Sequence, residues 1–116
     1  MIGAMAMLFG VGVLLGVDMM YFVFRPEPRR PPFYMQWAHG LSGAIAVAIA
    51  AYVLSTGMHD PGAYGWPAFG FVLVALMLGL ALYFFGHKLR HQRGLVITMH
   101  GFVGALGAAI LAAWAL

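Results

Sequence analysis

His39 and His100 each open a His-Gly-x-x-Gly segment, and they stand 61 residues apart in a chain of 116. Both fall inside long apolar stretches, where an ionisable side chain is costly and marks a functional site by default. Two imidazoles at matched depth can supply both axial ligands to one haem iron, with the flat ring standing between helices. One turn further along sit Gly43 and Gly104, followed on the same face by Ala46 and Gly107, where bulky side chains would block a ring. Arg29, Arg30, Arg90 and Arg93 lie at the edge from which guanidinium groups could pair with haem propionates. Phe24, Tyr83 and Phe85, near the same end, could pack on the macrocycle. A plainer reading stands beside this one: the two histidines hydrogen-bond across a helix interface, worth ~0.6–2 kcal/mol in membranes.

Asp18 is the one acid within an apolar run, seven residues before Arg25 and so at about the depth of His39. It would be neutral, paired or wet. It could accept a hydrogen bond from a ligand histidine and tune its basicity, serve as a proton relay, or simply bridge helices. His87 and His91 share a helical face, yet belong to a basic boundary segment and read as interfacial rather than as metal ligands. His59, beside Asp60, reads as solvated. The nine methionines, among them Met19, Met20, Met35 and Met99, read as packing material. Gly12 with Gly16, Gly40 with Ala44 and Gly101 with Ala105 form small-xxx-small pairs that let helices approach closely.

These residues require long helices to hold them. The chain is 64% hydrophobic and only 8% charged, too little charge to cover a soluble domain. Four apolar runs, about 1–24, 33–56, 67–86 and 95–116, each approach the ~20 residues that cross a bilayer. The first has no basic segment ahead of it, so it reads as a retained span rather than a signal peptide. All six Lys and Arg residues lie between runs one and two or between runs three and four, and the middle connection, Ser55 to Trp66, has none. The positive-inside rule then puts both basic loops in the cytoplasm and both termini outside, with Trp66 and Trp114 at the outer interface and Trp37 at the inner one. Pro26, Pro28, Pro31 and Pro32 interrupt helix in the first loop, as Gly62, Gly65 and Pro67 do in the middle one. Nucleic acid is not an expected partner, because the basic residues are confined to membrane-edge loops. With no cysteine there is no disulfide, no thiolate metal site and no covalent haem attachment.

A shift of 61 residues superposes residues 39–55 on 100–116 with seven of 17 pairs identical, and also pairs Arg29 with Arg90. This predicts two copies of a two-helix hairpin, about 1–55 and 62–116, related by an axis along the membrane normal. The expected fold is therefore all-α: a single-domain integral membrane four-helix bundle, built from two transmembrane hairpins.

On its paired histidines near one end of antiparallel spans, each followed by glycine, the chain resembles the small four-helix b-type cytochromes of the cytochrome b561-like group. The resemblance covers the four-helix plan and the two His-Gly-x-x-Gly segments. It implies one noncovalent haem b on His39 and His100, and electron exchange with quinone or with partner subunits. Many such proteins carry four intramembrane histidines and two haems; this chain offers two histidines well inside.

Two other classes compete. Small proton-coupled multidrug transporters also have four spans and an essential acid in the first, as Asp18 is here, but theirs is glutamate and their other motif residues are missing. A non-catalytic accessory subunit of a respiratory or photosynthetic complex would also have short loops and contacts within the membrane, with other subunits or a second copy. No nucleophile–base pair or phosphate loop points to a hydrolase or transferase. The Ala- and Gly-rich composition suggests a bacterial inner membrane.

Overall fold

A computed structural model describes residues 1–115. It is all-helical over those residues, with α1 Ile2–Val23, α2 Phe33–Thr56, α3 Gly65–Phe85 and α4 Arg93–Ala115. Each helix is long and apolar enough to cross a membrane, and the 46 Å long axis exceeds the ~30 Å hydrocarbon thickness.

The helix ends follow from local chemistry. Pro32 caps α2 with φ −54°, and its carbonyl accepts the Met35 and Gln36 amides. Gly57 closes α2 in the left-handed region at φ 66°, a conformation that glycine adopts without penalty. Gly62, at φ 51°, donates its amide to the Asp60 carboxylate across a tight turn. Gly65 and Pro67 were expected in the connection but lie in the first turn of α3. First-turn amides have no intrahelical acceptor, so a proline there costs no hydrogen bond.

The helices alternate in direction around a square. α1 and α3 each pack on α2 and α4, neither diagonal pair makes close backbone contact, and the packing within each hairpin is much more extensive than between them. Met20 of α1 approaches Gly101 of α4, and Trp37 of α2 stacks edge-on against Tyr83 of α3. Both basic loops therefore share one end of the bundle.

The core sits toward the other end. Met5, Ala46, Ala50, Val53, Leu54, Ala68, Leu111 and Trp114 form its buried cluster. Trp114 was expected at the lipid interface. Instead it is 7% exposed, and its indole donates to the Asp60 carbonyl at 2.8 Å, tying the middle loop to α4. His59 is not simply solvated either: its ring lies 5.3 Å from that of Trp114, and its Nε2 donates to the Trp114 carbonyl at 3.3 Å. Nearer the basic loops the bundle loosens. Among the described residues, α1 beyond Gly12, α3 beyond Ala75 and α4 before Gly107 bury none fully.

Candidate functional site

His39 and His100 project from diagonal helices, six and seven residues after their starts. Their Nε2 atoms stand 3.4 Å apart, and the ring planes cross at 85°. His39 Nδ1 lies 2.7 Å from the Gly12 carbonyl oxygen, and His100 Nδ1 lies 2.8 Å from that of Ala75. A carbonyl can only accept, so both Nδ1 atoms carry hydrogen. In the neutral rings both Nε2 lone pairs then converge on the bundle centre. Such an arrangement suits an electron-pair acceptor held between them.

Glycines on the neighbouring helices seat the two rings. A Cβ on Gly16 would stand 3.2 Å from His39 Cε1, and one on Gly79 would stand 3.0 Å from His100 Cε1. Gly12 packs in the same way against Ser42, where a Cβ would meet the hydroxyl at 3.2 Å. The histidines are related by a shift of 61 residues, but their supports are not. Gly12 matches Ala75 and Gly16 matches Gly79, each pair 63 residues apart. The first connection is two residues longer than the third, which absorbs the difference. An ungapped shift therefore hides the correspondence, and it pairs Gly79 with Asp18 instead. The signal available in the sequence was a glycine in α1 and another in α3 at the depth of the histidines.

The other expected site residues are distributed as follows. Gly43 is half-buried with open space where a Cβ would go, and a Cβ on Gly104 would meet only the Ala75 methyl at 3.6 Å. Neither is in contact with a ring. Ala46 is fully buried in the core, and a Cβ on Gly107 would stand 2.8 Å from Val72 Cγ1, so these two serve helix packing. Arg29, Arg30, Arg90 and Arg93 are exposed around the basic end, away from the imidazoles, and Arg29 lies 3.9 Å from Glu27. Phe24, Tyr83 and Phe85 are likewise exposed at that end. His87 and His91 are exposed on the connection from α3 to α4.

Asp18 does not hydrogen-bond His39 or His100. It is exposed on the outer face of α1, about 200° around the helix from Gly16, while Gly12 and Ala75 occupy the histidine Nδ1 atoms.

Among the described residues no group of three or more His, Cys, Asp or Glu side chains could hold a metal ion. The fold and the site together define a class: an all-helical bundle with a convergent histidine pair on the seam between two hairpins. Beyond that class, no family model, curated protein or solved structure matches the chain.

Proposed function

We propose that the chain is a membrane-spanning b-type cytochrome, or the haem-bearing subunit of a membrane electron-transfer complex, with His39 and His100 as the axial ligands of one noncovalent haem b. The observation that carries this reading is the pair of converging Nε2 atoms, 3.4 Å apart, with each Nδ1–H anchored on a helix carbonyl.

The surroundings fit such a group. Two side chains are too few for a bare ion, whereas a macrocycle brings four donors of its own. Imidazole–metal bonds run about 2.0 Å, so ligands on opposite sides of one iron need about 4 Å between them. That asks α2 and α4, a diagonal pair without close backbone contact, to part by about half an ångström. On one side of the rings the main buried cluster begins at Ala46, seven residues past His39, with Ser42 and Ala75 buried closer to the pair. On the other side α2 buries Met35, one turn before His39, while among the described residues α1 beyond Gly12 and α4 before Gly107 bury none fully. His39 and His100 would hold the group, and Arg29, Arg30, Arg90 and Arg93, exposed at the basic end, would be available to its carboxylates.

Haem supplies reversible one-electron chemistry. The chain's own contribution is orientation and environment. The Gly12 and Ala75 carbonyls fix each imidazole's tautomer and rotation and raise its basicity toward a metal. In this reading the four helices cross a bacterial inner membrane with both basic loops cytoplasmic, and electrons pass to or from quinone or a neighbouring subunit. The hairpins then descend from one duplicated unit, with two residues of difference in their loops.

The test is an optical spectrum of the detergent-purified protein, oxidised and then dithionite-reduced, beside His39→Ala and His100→Ala. A reduced b-type α band that disappears in both variants is expected. A colourless protein from haem-replete cells sinks the reading.

Asp18 favours a second aspect. A carboxyl on the outer face of a span is costly against lipid, which supports placing the protein within a larger complex, as a haem subunit or as a non-catalytic accessory. The same placement is compatible with a proton-coupled transporter of the multidrug type, which works as a dimer and would set the acid against its second copy.

A further inference from the structure

The two basic loops differ in how their charge is balanced. In the first, Arg25 lies over the Tyr21 ring and Arg29 stands 3.9 Å from Glu27, leaving Arg30 as the one cation of that loop without either contact among the described residues. In the second, Lys88 lies over Phe85, but among the described residues Arg90 and Arg93 pair with no carboxylate. The chain's three acids are elsewhere: Asp18 on α1, Glu27 in the first loop and Asp60 at the opposite end. Gly86, His87, Arg90 and Arg93 line an open cleft of about 550 Å³ between the end of α3 and the start of α4. Beside it α3 ends in Phe84 and Phe85, both more than half exposed.

We infer that this cleft is a binding site for the phosphate headgroup of an anionic phospholipid. Two guanidinium groups can hold phosphate oxygens through charge-assisted bonds, and the His87 ring can donate a further one. Basic pockets between transmembrane helices on the cytoplasmic side suit anionic headgroups, and Phe84 and Phe85 lie where acyl chains would run. Lipid is also the phosphate source that a cleft at a membrane edge meets first. The site rests on the membrane-spanning part of the proposed function and not on haem.

The full-length protein, purified in dodecyl maltoside, is unfolded thermally with helicity as the readout. Phosphatidylglycerol, phosphatidylcholine or inorganic phosphate is titrated in. Phosphatidylglycerol is expected to raise Tm by several degrees at concentrations where phosphatidylcholine and inorganic phosphate do not. Arg90→Gln with Arg93→Gln should shift the midpoint of that titration upward by about tenfold or more. Arg29→Gln with Arg30→Gln, which removes equal charge from the other loop, should leave it in place, and Arg90→Lys with Arg93→Lys should keep most of the effect. An equal loss in both Gln pairs would mean general surface attraction and overturn the site. So would an equal response to inorganic phosphate, which would assign a free anion, or no change in the Arg90/Arg93 pair. The titration is repeated on His39→Ala with His100→Ala. A retained response there separates the lipid site from haem, and a lost one would assign the arginines to propionates and overturn it.

Discussion

Each imidazole of the pair needs a missing side chain behind it. A methyl on Gly79 would meet three atoms of the His100 ring, the nearest at 3.0 Å, whereas one on Gly16 would meet two atoms of His39, the nearest at 3.2 Å. Contacts under about 3.4 Å must be relieved by moving the ring, and the carbonyl bonds at Nδ1 resist that. On the proposed haem reading, Gly79→Ala is therefore expected to lower the haem-to-protein absorbance ratio more than Gly16→Ala, and valine at either position should lower it further. Gly43→Ala and Gly104→Ala should leave it near wild type, because a methyl at each is free or in ordinary contact. If the ratio falls equally in all four alanine variants, the seating argument fails. Asp18→Ala tests the opposite face of α1 and should leave the reduced spectrum intact. The histidines themselves were legible in the sequence, because an ionisable group in an apolar run stands out. Their glycine seats were not: Gly16 reads as a generic helix contact, and a 61-residue shift sets Gly79 against Asp18 rather than against Gly16.

The helices were readable to within about two residues, since a chain with so few charges leaves only four stretches that can cross a bilayer. What composition could not give is which face of each helix meets which neighbour. Apolar residues cover every side, so there is no amphipathic stripe to follow. Trp114 shows the consequence. Its type suggested the lipid interface, but a partner for its indole N–H, the Asp60 carbonyl, lets it bury. Gly107 looked like clearance for a ring and is a contact between α3 and α4, where Val72 and Phe71 leave no space for a Cβ. Gly107→Val is accordingly expected to destabilise the bundle by about 1–3 kcal/mol through overpacking. Thermal unfolding of the purified protein checks this: Tm should drop well below that of Gly43→Ala. An unchanged Tm would mean that α3 and α4 do not approach as closely as described.

At the scale of the whole molecule the charge is strongly polarised. Every Lys and Arg gathers at one end of the bundle, and the opposite connection carries Asp60. The packing is polarised too, with the buried cluster toward the neutral end and the histidine pair where the bundle opens toward the basic one. If the positive-inside rule orients the chain, the histidines lie nearer the cytoplasm, and the proposed electron exchange with quinone or a neighbouring subunit would take place toward that side. The absence of native cysteine makes this directly measurable. Gln92→Cys places a thiol in the second basic loop, and Met58→Cys places one in the middle loop; both positions are exposed. In intact cells a membrane-impermeant maleimide should label the Met58 variant alone, with Gln92 reacting only after permeabilisation. The reverse pattern would put the basic end outside, against the charge rule, and would move the proposed partners to the other face. Labelling of both thiols in intact cells would mean that the connections do not lie on opposite sides, and the four-span arrangement itself would have to be abandoned.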